Sequence, residues 1–201
     1  MTVVKWRVIN LFRVGITNMA AKDKKIDRFD KLTIKKYIRN IPNWPKKGIV
    51  FRDITPLLSD AKAFAGAVSR ICRSFAGKKI DYVAAVEARG FIFGAAVAQK
   101  LGAGFIPIRK KGKLPYRTER ITYGLEYGKD TIEVHRDAIK KGSKVLMVDD
   151  LLATGGTMAA ACKLIERIGG RIVGIAFLIE LRDLAGRAKI GKYNIKTIIS
   201  F

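Results

Sequence analysis

At 201 residues with 49% hydrophobic content, the chain is long enough to bury a sizeable core and is most simply one domain. Forty Lys and Arg against 17 Asp and Glu give a formal net charge of +23, and no run reaches the ~18 apolar residues of a membrane-spanning helix. The two cysteines, Cys72 and Cys162, lie far apart without CxxC spacing, which argues against a disulfide framework or a zinc site and suits a reducing, cytoplasmic setting.

Residues 1–22 carry Lys5, Arg7, Arg13 and Lys22 with no acid before Asp23, and read as a basic, flexible tail. A transit segment, or translation starting at Met19, fits the same composition. Residues 23–201 read as one domain. Leu32–Ile38 suits a short helix, ended by a turn in which Pro42 and Pro45 bracket Trp44. Asp60 is placed to cap a helix over residues 61–75, where Phe64, Val68, Ile71 and Phe75 follow helical spacing.

Tyr82–Val86 is an apolar run suited to a buried strand, and it delivers Glu87-Ala88-Arg89-Gly90 to a helix over residues 91–101. The unpaired N–H groups of such a helix start, with the Arg89 guanidinium beside them, make an anion site. Gly104–Ile108 is the next strand, and the basic run Arg109-Lys110-Lys111-Gly112-Lys113 follows it directly. With Gly112 as hinge and Pro115 closing the segment, the run reads as a mobile lid. Tyr123–Gly128 and Thr131–His135 read as antiparallel strands turning around Gly128-Lys129-Asp130. His135, the only histidine, has no partner cluster for a metal triad and reads as structural.

The most informative stretch is Lys144–Thr157. Val145–Val148 suits a strand buried on both faces of a parallel sheet. Ala153, Thr154, Gly155, Gly156 and Thr157 then combine glycine freedom, hydroxyls and a helix N-terminus into a phosphate cradle. Asp149 and Asp150 would repel a phosphate, so they need another ligand; vicinal hydroxyls fit, and together the two halves imply a ribose 5-phosphate. No GxxxxGK[ST] or GxGxxG occurs, which argues against nucleotide triphosphate hydrolysis and dinucleotide binding. A helix over 158–168 ends at Gly169-Gly170, and strands over 172–178 and 195–199 complete an alternating pattern.

Val148–Thr157 resembles the signature with which the phosphoribosyltransferase family binds 5-phosphoribosyl 1-diphosphate. Residues 48–55, 87–91, 109–115 and 125–128 narrow the resemblance to the adenine-using members, and it runs from about Leu32 to the C-terminus. It implies an α/β fold in which helices flank a parallel-sheet core, with a small N-terminal hood at about 32–56 and a β-hairpin and flexible loop over the active site. It also implies a homodimer and a purine-salvage reaction, transfer of the 5-phosphoribosyl group to adenine giving AMP and diphosphate, with Mg2+ held through the substrate.

In that picture Asp149, Asp150 and residues Ala153–Thr157 hold the ribose 5-phosphate, and Glu87, Ala88, Arg89, Arg109 and Lys113 face the diphosphate. Val50, Phe51, Arg52 and Leu151 receive adenine, and Glu126 with Arg89 acts at the reacting centre. Lys47 departs from the pattern, which has proline there. Reaction with hypoxanthine, guanine, xanthine or orotate is the neighbouring alternative. A regulator that senses the same diphosphate while binding nucleic acid is the alternative from another class, ranked low because the candidate Glu126 is retained. The charge itself fits steering of a polyanionic substrate, nucleic-acid contact or a solvated lysine-rich surface, and the last is the preferred reading.

Overall fold

The computed structural model describes residues 30–125 and 128–201, and the chain falls into two compact units, Met1–Ser69 and Arg70–Phe201. The expected basic tail, the alternative start at Met19, and Glu126 and Tyr127 lie outside the described residues.

In the first unit, helix α1 (Lys31–Lys36) starts where Asp30 accepts the Thr33 N–H at 2.7 Å, and it stops short of Ile38. Strands β1 (Arg39–Pro42) and β2 (Val50–Asp53) form an antiparallel hairpin, with Pro42 opposite Val50. The Arg39 Nε and Nη2 both donate to Asp53 Oδ2, at 2.9 and 2.5 Å, while Asp53 Oδ1 accepts the Thr55 N–H at 2.9 Å. One carboxylate therefore ties the hairpin to the start of α2 (Thr55–Ser59). Hydrogen bonds from Thr55, and then Arg39, outweigh burial and hold its pKa down to about 2. Asp60 Oδ1 accepts the Lys62 and Ala63 N–H groups at 2.9 and 2.8 Å, the capping expected for α3 (Ala61–Arg73).

The second unit is built on a seven-stranded sheet. Its strands are β3 (Tyr82–Val86), β4 (Gly104–Lys110), β5 (Thr118–Leu125), β6 (Gly128–His135), β7 (Lys144–Leu152), β8 (Arg171–Glu180) and β9 (Ile195–Ser200), in the order β5-β6-β4-β3-β7-β8-β9. From β4 to β9 neighbouring strands are parallel, and the β5–β6 hairpin joins antiparallel to β4 through Arg109↔Glu133 and Lys110↔Ile132. Val83, Ala84 and Ala85 and Val145–Val148 have no exposed surface, as apolar runs covered on both faces should. Helices α4 (Arg89–Leu101) and α5 (Gly156–Arg167) connect the parallel strands. A Cβ at Gly94 would lie 2.6 Å from the Ala85 Cβ, so glycine is what lets α4 lie close on β3. Cys72 and Cys162 are buried, and burial pushes their thiols up to about 11 and about 12.

Several boundaries differ from the sequence-based expectation, β5 beginning at Thr118 rather than Tyr123 among them, and three of the differences bear on the site. β7 continues to Leu152 because Asp149, Leu151 and Leu152 keep their pairing with β8. β4 continues through Lys110, so Arg109 and Lys110 belong to the sheet rather than to a lid. Leu125 pairs with Gly128 in the hairpin ladder, so Gly128, Lys129 and Asp130 are strand residues.

Candidate active site

Because β3 and β7 are adjacent and parallel, with Ala85 beside Val148, the segments leaving their carboxyl ends emerge side by side. The segment after β3 passes Glu87 and Ala88 and enters α4 at Arg89. The segment after β7 passes Ala153 and Thr154 to Gly155, whose φ of 76° turns the chain into α5. The two segments touch. A Cβ at Gly90 would lie 2.6 Å from Asp149 Oδ1, and the Arg89 Nε stands 2.8 Å from Asp150 Oδ2.

The acidic pair is half inside the protein. Asp150 is 5% exposed, and its N–H donates to Asp149 Oδ1 at 2.9 Å. Burial, then the neighbouring Asp150 charge, pushes the Asp149 carboxyl well above its ordinary range. Burial also raises Asp150, against the pull of Arg89. Carboxylates kept from water next to each other favour a ligand that brings donors, which is what a ribose diol supplies.

Ala153–Thr157 form the bend behind them, with the first turn of α5 presenting its free N–H groups. The back of this bend is closed. A Cβ at Gly155 would run into the Gly186 carbonyl, and one at Gly186 into the Ala153 carbonyl. The Tyr123 hydroxyl on β5 lies close to Thr157 on the other side.

The expected diphosphate residues also meet, around Glu87. Arg109 Nε donates to Glu87 Oε2 at 2.9 Å, and Lys113 Nζ stands 2.8 Å from Glu87 Oε1. Burial opposes the charge on Glu87, but Lys113 and Arg109 outweigh it and hold its pKa below the ordinary value. The lid segment is anchored at its start. Glu133 has no exposed surface, and its Oε1 accepts the N–H groups of Gly112, Lys113 and Leu114 at 2.9, 3.1 and 3.2 Å, while Arg120 Nε donates to Oε2 at 2.8 Å.

The residues expected to receive adenine belong to both units. In the first unit Val50 is exposed on β2, Arg52 Nη1 donates to Asn40 Oδ1 at 2.5 Å, and the Phe51 ring meets Trp44 edge-on at 4.5 Å between centroids. In the second unit Leu151 is half-buried on β7 beside Asp150. Glu126 lies outside the described residues. Sequence reasoning missed Glu133, Tyr123 and Gly186 as parts of the site's support. For Gly186 the signal was present, a glycine-arginine pair one strand beyond the motif; Glu133 and Tyr123 carried none. Among the described residues no three His, Cys, Asp or Glu side chains gather as a metal site.

The family model for the phosphoribosyl transferase domain matches residues 54–201. The adenine phosphoribosyltransferase of Brachyspira hyodysenteriae is 53% identical over 170 residues, 85% of this chain and 100% of that protein. The crystal structure of adenine phosphoribosyltransferase from Thermoanaerobacter pseudethanolicus superposes with a TM-score of 0.83 at 52% identity, covering 85% of this chain and 99% of that one. The Saccharomyces cerevisiae enzyme, crystallised with D-2,5-dideoxy-2,5-imino-altritol 1,6-bisphosphate and adenine, gives 0.80 at 38% identity, over 84% of this chain and 97% of that one. The family match over residues 54–201, with relatives 52–53% identical across nearly their whole length, joins a parallel sheet that carries an acidic pair and a phosphate-type bend at one strand end, and leaves one conclusion: the chain belongs to the adenine phosphoribosyltransferase family.

Proposed function

We propose that the chain moves the 5-phosphoribosyl group from 5-phosphoribosyl 1-diphosphate onto adenine, releasing AMP and diphosphate as a purine-salvage enzyme. The observation that carries this reading is the Asp149–Asp150 pair, Asp150 buried and Asp149 half-buried, directly ahead of the Gly155 bend. The bend and the α5 N-terminus receive the 5-phosphate, and the two carboxylates take the sugar hydroxyls. As the bond to diphosphate breaks, positive charge grows on the sugar ring near these carboxylates, and negative charge grows on the leaving group. Arg89 at the α4 start, with Arg109 and Lys113, is assigned to that negative charge, a role supported by their gathering with Asp150 and Glu87 in one unit. Val50, Phe51, Arg52 and Leu151 are assigned to the base, and Glu126 to a proton of the base or a hydrogen bond at the reacting centre, on the family resemblance.

The donor set fits an ion carried on the substrate's own oxygens, since the acids near the site are paired rather than clustered. Bound magnesium would add positive charge to the departing diphosphate. A cytoplasmic homodimer completes the reading, again on resemblance.

The test is incubation with labelled 5-phosphoribosyl 1-diphosphate and each purine base separately. AMP from adenine is expected; turnover of hypoxanthine without adenine would overturn the base assignment. Glu126→Ala is expected to lower kcat more than it raises KM, and a change in KM alone would recast the residue as a binding group.

A further inference from the structure

The turn that follows β8 contributes nothing to the reaction as described, yet it carries one of the most completely bonded ionic clusters in the second unit. Arg187 Nε and Nη2 donate to Glu180 Oε1 and Oε2 at 2.5 and 2.9 Å, a two-pronged pair. The Thr197 hydroxyl accepts from Arg187 Nη2 at 3.2 Å and donates to Glu180 Oε2 at 3.0 Å. The cluster joins the end of β8 and the middle of β9 to the 3-10 turn Gly186–Lys189.

Gly186 is the residue of that turn that meets the Gly155 bend. It is buried, the Gly155 Cβ direction points at its carbonyl, and its own Cβ direction points at the Ala153 carbonyl. Neither residue has room to move towards the other. A further bond holds the two loops in register, from the Leu181 N–H to the Leu152 carbonyl at 2.9 Å.

We propose that Glu180, Arg187 and Thr197 are positioning residues, which press Gly186 against the back of the Ala153–Thr157 bend and so set its affinity for the 5-phosphate of the substrate. The assignment rests on the proposed function for the identity of that phosphate. The three side chains bond to one another, and the action proposed for them is through Gly186 and the bend. Its charge is suited to permanence, because the hydrogen bonds from Arg187 hold the Glu180 carboxyl below its ordinary range and the pairing raises Arg187.

The experiment uses the full chain and ribose 5-phosphate, with binding followed by calorimetry and steady-state kinetics alongside. Arg187→Ala is expected to weaken ribose 5-phosphate about tenfold, a loss of the size of a hydrogen bond to a charged group. KM for 5-phosphoribosyl 1-diphosphate should rise with it, while KM for adenine stays put. The open cleft of about 420 Å³ lined by Glu180, Arg182, Ala185, Arg187 and Thr197 gives a small cation access, so millimolar guanidinium should restore affinity to Arg187→Ala.

Gly186→Ala, which drives a methyl into the bend, should show the same selective loss. Should Arg187→Ala not fold, Thr197→Val, which removes the hydroxyl alone, should weaken ribose 5-phosphate about threefold. An unchanged ribose 5-phosphate affinity in folded variants overturns the proposal, as does an equal loss for both substrates without guanidinium rescue. Wild-type binding of ribose 5-phosphate without adenine turnover would overturn the proposed function alone; no binding by the wild type would overturn both.

Discussion

Asp149 is an aspartate whose surroundings favour its neutral form: burial acts first and the Asp150 charge second. For an acid the sign is definite. A carboxyl with a raised folded-state pKa binds its proton more tightly in the native chain than in the unfolded one, so stability falls as pH rises from the unfolded value towards the raised one. Keeping Asp149 charged at neutral pH therefore costs stability, as residues retained for function often do. Asp149→Asn keeps the acceptor for the Asp150 N–H and removes the charge, so the melting temperature is expected to rise by about 2 °C or more, with ribose 5-phosphate affinity lost. Differential scanning and titration calorimetry check the two halves, and intact affinity would remove the hydroxyl-binding role.

Asp53 has the opposite sign. Its pKa is lowered from 3.8 to about 2, so its contribution is complete above the upper value and is lost as pH falls through that interval. In acid unfolding of Asp53→Asn that part of the pH dependence should be missing.

At the scale of the element, the strand–bend–helix unit from Lys144 to Arg167 was legible because its information is local: an apolar run, two acids, two glycines and a helical spacing stand in one stretch. The β5–β6 hairpin was legible in kind and misplaced in detail. Gly128-Lys129-Asp130 reads as a turn by residue type, and Gly128 does carry a positive φ of 112°, yet its pairing with Leu125 puts it in the ladder. Glu133 could not be found at all, since its partners lie 13 to 21 residues away and an alternating strand gives no sign that one of its acids faces inward.

The consequence concerns the lid. Glu133, itself without exposed surface, is the acceptor for three backbone N–H groups and Arg120, and Glu133→Ala is expected to cost about 2 kcal/mol in denaturant unfolding. Hydrogen exchange at Gly112, Lys113 and Leu114 should speed up with it, and unchanged protection there would show that the anchor is not holding the segment.

At the scale of the whole molecule, the sequence pattern correctly indicated parallel strands with helical connections, and the comparisons place the chain among enzymes of known architecture. The purpose of the charge of +23 was not legible, because net charge reports on partners and association rates rather than on the fold. It makes one physical demand on the proposed reaction. A strongly cationic protein should draw in a polyanion faster at low ionic strength, so kcat/KM for 5-phosphoribosyl 1-diphosphate is expected to fall severalfold between about 20 and 150 mM salt. For uncharged adenine the same ratio should stay flat. A flat profile for both would assign the charge to some other purpose.

The two sulfhydryl groups are equally plain in their effect. Each lies in the interior with its ionisation suppressed, and ionised sulfur is the form that attacks alkylating dyes. A single cysteine introduced on the outside, at Tyr116 for instance, which is 59% exposed, can therefore carry a maleimide fluorophore while Cys72 and Cys162 stay unmodified. The segment between β4 and β5 can then be followed by fluorescence without first stripping the chain of its own thiols.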